Sequence, residues 1–166
     1  MTSNQFDLVV CFFKPNQWFL PQEIGNMKNL SQLSLDNNKL DGLIPSSLGH
    51  PTNLASLCLS SNQINGSLPQ EIGNMKNLSQ LFLDNNKLVG SIPFFLGDLT
   101  NLTSLSLVSN QISGFIPLEI GNMKNLSQLN LHNNKLVGSI PSSLGHLSNL
   151  AFLTLFLNPI NGSVPP

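Results

Sequence analysis

The chain carries few side chains that could do chemistry, and its three histidines do not form a recognisable site. His50 and His146 each end a Pro-Ser-Ser-Leu-Gly-His stretch, and these two stretches lie far apart in the sequence. His132 has no cysteine or second histidine at the spacing of a metal site. The pattern predicts no metal and no cofactor.

The remaining candidates for catalysis are isolated as well. Cys58 has no histidine neighbour, so an inert thiol is a better interpretation than a nucleophile. Asp36 and Asp84 lie two sequence periods apart, which corresponds to about 10 Å if each period adds one strand. That distance is too long for a general acid and base pair. We predict no catalytic residues and no enzymatic activity.

The elements that position these residues follow a strict 24-residue period. Asparagine recurs at one place in every period, at Asn38, Asn62, Asn86, Asn110, Asn134 and Asn158. The repeats are 20–43, 44–67, 68–91, 92–115, 116–139 and 140–163, between a degenerate N-terminal segment (1–19) and the start of a seventh repeat (164–166). A fixed period in the twenties predicts a solenoid, in which each repeat buries its apolar side against its neighbours.

Leucine columns indicate where the strands lie. Leu33 and Leu35 recur in every repeat, and apolar residues two apart are typical of a short strand with one buried face. All glycines fall into two columns that indicate positive φ or close approach, and a proline column disfavours helix. We predict a parallel sheet on the concave face and a 3-10 or irregular convex side. The asparagine column is expected to bond backbone groups of adjacent turns.

Each repeat reads LxxLxLxxNxLxGxIPxxLGxLxxL, as in the stretch from Leu102 to Pro117. This pattern resembles the plant-specific leucine-rich repeats in ectodomains of receptor-like kinases, receptor-like proteins and polygalacturonase-inhibiting proteins. The resemblance covers about residues 20–166, and the recurring GNMKNLSQL is especially similar to receptor-like kinases. It implies a right-handed α/β-type superhelix. It also implies extracellular or cell-surface recognition of a peptide, a glycan or a partner protein. A full-length parent of the receptor-like kinase type would carry a kinase domain in addition.

We therefore interpret the chain as a fragment of a receptor-like extracellular domain that binds a peptide or protein on its concave face. The partner could be a peptide ligand, a co-receptor or a microbial enzyme. One alternative is a soluble inhibitor that blocks an enzyme's cleft, as polygalacturonase-inhibiting proteins do. Another is ice binding, which needs a regular array, whereas the column Ser34, Cys58, Phe82, Ser106, Asn130 and Thr154 is irregular.

Comparison of the repeats with one another points to the binding residues. Buried columns stay constant, whereas several outward positions change between otherwise similar repeats. An exposed apolar cluster on such a face marks an interaction site. The candidate residues are Phe82, Asp84, Val108, Asn130, His132, Phe152, Thr154, Phe156 and Leu157. The alternative is that the last of these face a further repeat or changed freely after duplication.

The amino-acid composition excludes several classes of protein. Charged residues make up 9% of the chain, all seven cationic side chains are lysines, and the net charge is −1, which argues against nucleic acid. No apolar run is long enough to span a membrane, and Leu8–Phe13 lacks the cationic lead of a signal peptide. Cys11 and Cys58 are too few for a disulfide framework.

Two further expectations concern glycosylation and the ends of the array. Six sequons fit a secreted parent, although they are also by-products of the repeat consensus. These sequons are Asn29, Asn65, Asn77, Asn101, Asn125 and Asn161. Solenoids need capped ends, so the uncapped ends are expected to promote self-association.

Overall fold

The computed structural model describes residues 18–51 and 53–162. The predicted N-terminal segment, apart from Trp18 and Phe19, and the predicted start of a seventh repeat lie outside these residues, as does Cys11. The strands in the described residues are β1 (Gln32–Ser34), β2 (Asp41–Leu43), β3 (Ser56–Cys58), β4 (Gln63–Gly66), β5 (Gln80–Phe82), β6 (Lys87–Leu88), β7 (Ser104–Ser106), β8 (Ser113–Gly114), β9 (Gln128–Asn130), β10 (Lys135–Leu136) and β11 (Phe152–Thr154).

Six of these strands form one parallel sheet in the order β1-β3-β5-β7-β9-β11. Each strand pairs with its counterpart one repeat away, so that Leu33 lies opposite Leu57 and Leu57 opposite Leu81. The ladder continues past the strands, since the Leu35 N–H donates to the Cys58 carbonyl at 2.9 Å. The predicted concave sheet is confirmed, and we call it the large sheet.

The opposite side consists of 3-10 turns, as predicted. They are η1 (Gln22–Asn26), η2 (Ser46–Gly49), η3 (Gln70–Asn74), η4 (Phe94–Asp98), η5 (Leu118–Asn122) and η6 (Ser142–His146). Each follows a residue of the proline column, which is extended and whose carbonyl accepts the first bond of the turn, as from Ile24 N–H to Pro21 at 3.2 Å. Within the described ranges, no helix is long and apolar enough to cross a membrane.

Two short parallel sheets lie between the large sheet and the 3-10 turns, and the leucine pattern did not predict them. One contains β2, β4 and β6, and the other contains β8 and β10. Their side chains do not alternate between apolar and polar, so they depend on backbone pairing between successive repeats. The repeat therefore turns through a second extended segment before it enters the next 3-10 turn.

The core is a continuous stack of aliphatic side chains. Leu57, Leu81, Leu105 and Leu129 are fully buried. Burial of each such side chain stabilises the fold by roughly 1.5–3 kcal/mol before the entropy cost. The equivalent Leu153 is 40% exposed, because no further strand is described beyond β11. Each layer is thus closed by the repeat that follows it.

The two glycine columns have different causes. A Cβ on Gly97 would lie 2.4 Å from the carbonyl oxygen of Glu119 in the next repeat, so this column permits close stacking of the 3-10 turns. Gly114 has φ +77, in the left-handed region that only glycine adopts without cost. Both explanations offered by the sequence apply, one to each column.

The repeating asparagines join neighbouring repeats through their side-chain amides. Asn62 Oδ1 accepts the Leu40 N–H at 3.0 Å, and its Nδ2 donates to the carbonyls of Leu35 and Leu59 at 2.9 and 3.0 Å. Asn86, Asn110 and Asn134 repeat this arrangement and are 9% exposed. Asn158 does the same while half-buried, and the exposed Asn38 bonds carbonyls of its own repeat. These buried amides supply partners to backbone groups that the strands leave open.

Candidate ligand-binding face

The outward face of the large sheet consists of three side-chain columns in register. The column Gln32, Ser56, Gln80, Ser104, Gln128 and Phe152 lies at the start of the strands, and Ser34, Cys58, Phe82, Ser106, Asn130 and Thr154 lie at their end. The third column follows two residues later and contains Asp36, Ser60, Asp84, Val108, His132 and Phe156. The predicted binding residues, except Leu157, all belong to these columns.

In the first repeats the acidic side chains bond to the backbone of the next repeat. Asp36 Oδ1 accepts the Ser60 N–H at 2.7 Å. Asp84 Oδ1 accepts the Val108 N–H at 2.8 Å and also the hydroxyl of Ser106. These carboxylates therefore extend the strand ladder. The other oxygen, Oδ2, accepts the Ser60 hydroxyl at 3.5 Å, so both oxygens of this predicted binding residue already have partners.

Phe82 and Val108 are less accessible than the sequence suggested. Both are half-buried, although they point away from the core. The neighbouring Ser104 and Ser106 are 8% and 5% exposed, so the surface around β7 is closely covered by side chains. In the middle of the face, the exposed side chains are therefore those of Gln80 and Gln128, while Phe82 is half-buried between its neighbours.

The last repeats present a bonded polar cluster formed by Asn130, His132 and Thr154. The Thr154 hydroxyl donates to Asn130 Oδ1 at 3.0 Å, and His132 Nδ1 lies 3.0 Å from the same hydroxyl oxygen. With Asn130 Oδ1 assigned toward that hydroxyl, the single hydroxyl proton goes to Asn130, and this arrangement makes His132 Nδ1 the donor in its contact with Thr154. The neutral imidazole is therefore the Nδ1–H tautomer, and its Nε2 is an acceptor.

Two exposed phenylalanines flank this cluster. Phe156 stacks on the His132 ring with centroids 4.2 Å apart and an angle of 14° between the planes. Phe156 is 58% exposed and Phe152 is 62% exposed, so both rings keep large open surfaces. Phe156 lies two residues beyond the end of β11. The cluster and the two rings together form an apolar platform with a defined hydrogen-bond acceptor, which we call the aromatic platform.

Leu157 does not lie on the face where the sequence placed it. It occupies the turn after β11, with φ +56 and 68% exposure. The equivalent positions are also left-handed but carry Asn37, Ser61, Asn85, Ser109 and Asn133. Asparagine tolerates this conformation, whereas leucine pays a steric cost there. Period-two alternation would put residue 157 on the same side as Leu153 and Leu155, so its outward assignment did not follow from the strand pattern.

Cys58 has the environment of an unreactive thiol. It is half-buried, and this burial raises the pKa of the thiol above its ordinary value. The Ser56 hydroxyl, 3.6 Å from the thiol sulfur, opposes this effect and lowers the pKa. The negative charges of Asp36 and Asp84 raise the pKa of the thiol further. In the described part of the chain no three His, Cys, Asp or Glu residues come together as metal ligands.

A second column of asparagines forms a ladder on the flank before the strands, which was not predicted from the sequence. Asn53, Asn101, Asn125 and Asn149 each donate from Nδ2 to a carbonyl of the preceding repeat at 2.8–3.2 Å. The sequence did contain a pattern that could have predicted this ladder, because asparagine occupies this place in all six repeats, including Asn29 and Asn77.

The sequons therefore differ in the environment of the amide that would carry a glycan. Asn101 and Asn125 bond to the carbonyls of Lys76 and Thr100, and Asn65 donates to Asp41 Oδ1 at 2.9 Å. Asn65 is half-buried, whereas the other five, Asn29, Asn77, Asn101, Asn125 and Asn161, are exposed. Glycosylation stays a prediction for all six.

Comparison with known families agrees with this architecture. Residues 26–88 match the family described as leucine rich repeat, and residues 100–146 match a second description of leucine rich repeats in two copies. The chain belongs to the leucine-rich repeat family. Comparison with curated proteins gave no match.

The chain is similar to solved structures of plant receptor ectodomains. It is similar to the plant peptide hormone receptor RGFR1 in complex with RGF2, with 38% identity and a TM-score of 0.88 over 90% of this chain and 24% of that one. It is also similar to the Arabidopsis receptor kinase HAESA ectodomain in complex with an extended IDA peptide hormone, with 34% identity and a TM-score of 0.79 over 90% of this chain and 29% of that one. The chain thus spans about a quarter of each receptor structure.

A third similar structure is a plant ice-binding protein, with 26% identity and a TM-score of 0.80 over 92% of this chain and 57% of that protein. The predicted class, a plant-type leucine-rich repeat ectodomain of the receptor kind, is confirmed by the receptor matches, which have higher identity.

Proposed function

We propose that this chain is a recognition module that binds an extended peptide or a peptide-like segment of a partner protein across the large sheet. The observation that carries the proposal is the aromatic platform, where two largely exposed phenylalanines flank a hydrogen-bonded imidazole. Exposed aromatic side chains dominate the energetics of protein interfaces. The similarity to receptor ectodomains that were solved with peptide hormones supports the same conclusion.

The partner crosses the strands in this proposal. From Phe82 to Phe152 the sheet advances by three strands, or about 14 Å, which four or five extended residues can span. The partner's backbone lies over the half-buried Phe82. The aromatic platform provides apolar contact and a hydrogen-bond acceptor at His132 Nε2. In its full-length context, the module would act at the cell surface, without catalysis of its own.

Ice binding is less well supported, even though one similar structure is an ice-binding protein. An ice-binding surface needs like residues at regular intervals. The in-register column of Ser34, Cys58, Phe82, Ser106, Asn130 and Thr154 changes size and polarity at almost every strand.

A peptide selection tests the proposal. A phage-displayed library of random 12-residue peptides is selected on the whole 166-residue chain, and the Kd of each selected peptide is measured by calorimetry. The double variant Phe152→Gln/Phe156→Ser introduces residues that the same columns carry elsewhere. We expect it to weaken binding by at least about 2 kcal/mol, roughly thirtyfold in Kd.

The control is a double variant on the other side of the molecule, Phe115→Ser/Leu118→Gln, which should leave the Kd of platform-binding peptides unchanged. Circular dichroism and the thermal midpoint establish that both variants are folded. Equal affinity of every selected peptide for the parent and for Phe152→Gln/Phe156→Ser would refute the proposed face.

A further inference from the structure

Two asparagines in this chain stand directly before a glycine, and both lie in the same local sequence. Asn65 and Asn161 each belong to an Ile-Asn-Gly-Ser stretch, and the sequence contains no other Asn-Gly pair. In such a pair the backbone nitrogen of glycine can attack the side-chain amide carbon, because glycine has no Cβ to hinder the approach. Asparagine is among the thermolabile residues of proteins. The structural surroundings of the two pairs therefore decide which of them reacts.

The same place in the first repeat shows how closely the reacting groups approach. Asp41 stands where Asn65 and Asn161 stand in their repeats, and Gly42 follows it. The Gly42 N–H donates to Asp41 Oδ1 at 2.7 Å, so the side-chain carboxyl group faces the glycine nitrogen. Reacting groups that are held in contact need little further motion to combine. The backbone at this place in the repeat therefore permits attack on a side chain that is an amide.

Asn65 is held away from this reaction by its neighbours. Its Nδ2 donates to Asp41 Oδ1 at 2.9 Å, which fixes the amide against the preceding repeat. Its backbone pairs with Leu43 on one side and with Lys87 on the other. The Leu43 side chain also lies against Gly66, where it would collide with an added Cβ. Reaction at Asn65 therefore requires local opening of the small sheet.

The side chain of Asn161 lacks these restraints within the described residues. Val137 takes the place of Asp41 in the preceding repeat, so the amide has no carboxylate to bond. The Asn161 side chain is exposed and forms no hydrogen bond in the described part of the chain. The small Ser139 is the side chain nearest to Gly162. The amide is thus free to turn towards the glycine nitrogen.

We propose that Asn161 is a site of spontaneous deamidation and that Asp41 protects Asn65 from the same reaction. The Gly162 nitrogen bonds to Asn161 Cγ, the Cγ–Nδ2 bond breaks, and the proton of the nitrogen leaves with the amide group as ammonia. The cyclic imide that remains takes up one water molecule at either of its carbonyl carbons. The product is aspartate or isoaspartate, and water is the only other reactant.

The two products have different consequences for the last repeat. Aspartate keeps the backbone unchanged and matches Asp41, which the first repeat carries at this place. Isoaspartate adds a methylene group to the backbone before Gly162, whose φ is +95. Either product removes the predicted sequon at Asn161, and a glycan on the same amide would block the reaction. The inference uses no residue of the aromatic platform and does not depend on the function proposed for it.

Peptide mapping of the whole chain, produced in bacteria without glycans, tests the proposal. Cleavage after lysine places Asn65 in the peptide 40–76 and Asn161 in the peptide 136–166, so each site is measured separately. The folded chain is incubated in mildly alkaline buffer, and mass spectrometry follows amide loss and isoaspartate against an unincubated sample. We expect Asn161 to convert at least about tenfold faster than Asn65. In denaturant, the shared Ile-Asn-Gly-Ser sequence should make the two rates similar.

Two reciprocal variants test the role of the carboxylate. Asp41→Ala should speed conversion of Asn65 at least about threefold, and Val137→Asp should slow conversion of Asn161 by a similar factor. Val137→Ala is the matched control and should leave the Asn161 rate unchanged. The thermal midpoint of each variant establishes that the changed rate does not result from unfolding. The proposal is overturned if the two sites convert at similar rates in the folded parent, or if either reciprocal variant leaves its rate unchanged.

Discussion

The two halves of the large sheet's outer face differ in where their polar atoms find partners. In the first half, the carboxylates of Asp36 and Asp84 accept backbone N–H groups of the next strand. In the second half, the same column carries His132 and Phe156, which stack on each other; Phe156 is 58% exposed and His132 is half-buried. One column of the repeat therefore joins repeats at one end and forms the candidate binding surface at the other.

This difference shows that an outward side chain in a solenoid is not by itself a binding residue. A carboxylate that already accepts two hydrogen bonds must lose them before it can serve a partner fully, which costs free energy. An imidazole held by Thr154 is different, because its Nε2 is oriented and unoccupied within the described structure. The candidate site thus narrows to Asn130, His132, Phe152, Thr154 and Phe156.

The largest effect should come from the core beneath the two halves. Leu83 is fully buried, and Leu83→Ala should destabilise the chain by about 2–5 kcal/mol because it opens a cavity between two repeats. Leu155 occupies the same column but is only partly buried, so Leu155→Ala should cost clearly less. Denaturant midpoints compare the two variants. Equal losses would mean that the last repeat is as closely packed as the third.

The next effect concerns the carboxylates. Asp84→Ala should cost roughly 1–3 kcal/mol, because the Val108 N–H and the Ser106 hydroxyl lose a charged acceptor. His132→Ala, in the same column, should cost less than about 1 kcal/mol because it leaves no backbone group unpaired. Urea unfolding measures both. If His132→Ala destabilises the chain more than Asp84→Ala does, the column is structural in the second half of the face and not in the first, contrary to our interpretation.

Much of the fold could be predicted from the sequence, because the same buried and turn-forming residues recur at the same places in every 24-residue repeat. The leucine columns located the strands of the large sheet, and the proline column indicated that the opposite side would not be α-helical. The strands β2, β4 and β6 were not predicted, since their residues, such as Asp41 and Lys87, carry no apolar alternation. Backbone pairing between repeats forms these strands, and side-chain patterns do not record such pairing.

The candidate site was predictable only in part. Comparison among repeats singled out Asn130, His132 and Thr154, but not their hydrogen bonds, which depend on rotamers. Phe82 was expected on the outward face, where it lies, but its side chain is half-buried there. Leu157 was placed on the sheet because nothing in its own identity indicates a left-handed turn. The asparagines and serines at the equivalent positions did carry that signal.

A smaller effect tests whether the left-handed backbone conformation of Leu157 destabilises the last repeat. Leu157→Asn should stabilise the chain by about 1 kcal/mol, since asparagine adopts the left-handed conformation more easily and leucine is largely exposed there. Leu157→Val is the control and should destabilise, because β-branched residues tolerate positive φ least. Thermal unfolding of the three chains gives the order. An unchanged midpoint for Leu157→Asn would mean that the turn is not strained.

The smallest expected effect, and the sharpest, concerns the tautomer of His132. Thr154→Val removes the hydroxyl but keeps the side-chain shape, so it should change stability by less than about 1 kcal/mol. His132 Nδ1 then loses its acceptor, and the imidazole should lose its preference for the Nδ1–H tautomer. Thr154→Ser keeps the hydroxyl and should retain that preference. Nitrogen chemical shifts from long-range proton–nitrogen correlation spectra distinguish the two tautomers, and a His132→Gln chain separates this ring from His50 and His146. If the ring in Thr154→Val has the same shifts as in the parent, Thr154 does not orient it, and the aromatic platform offers a partner no fixed acceptor.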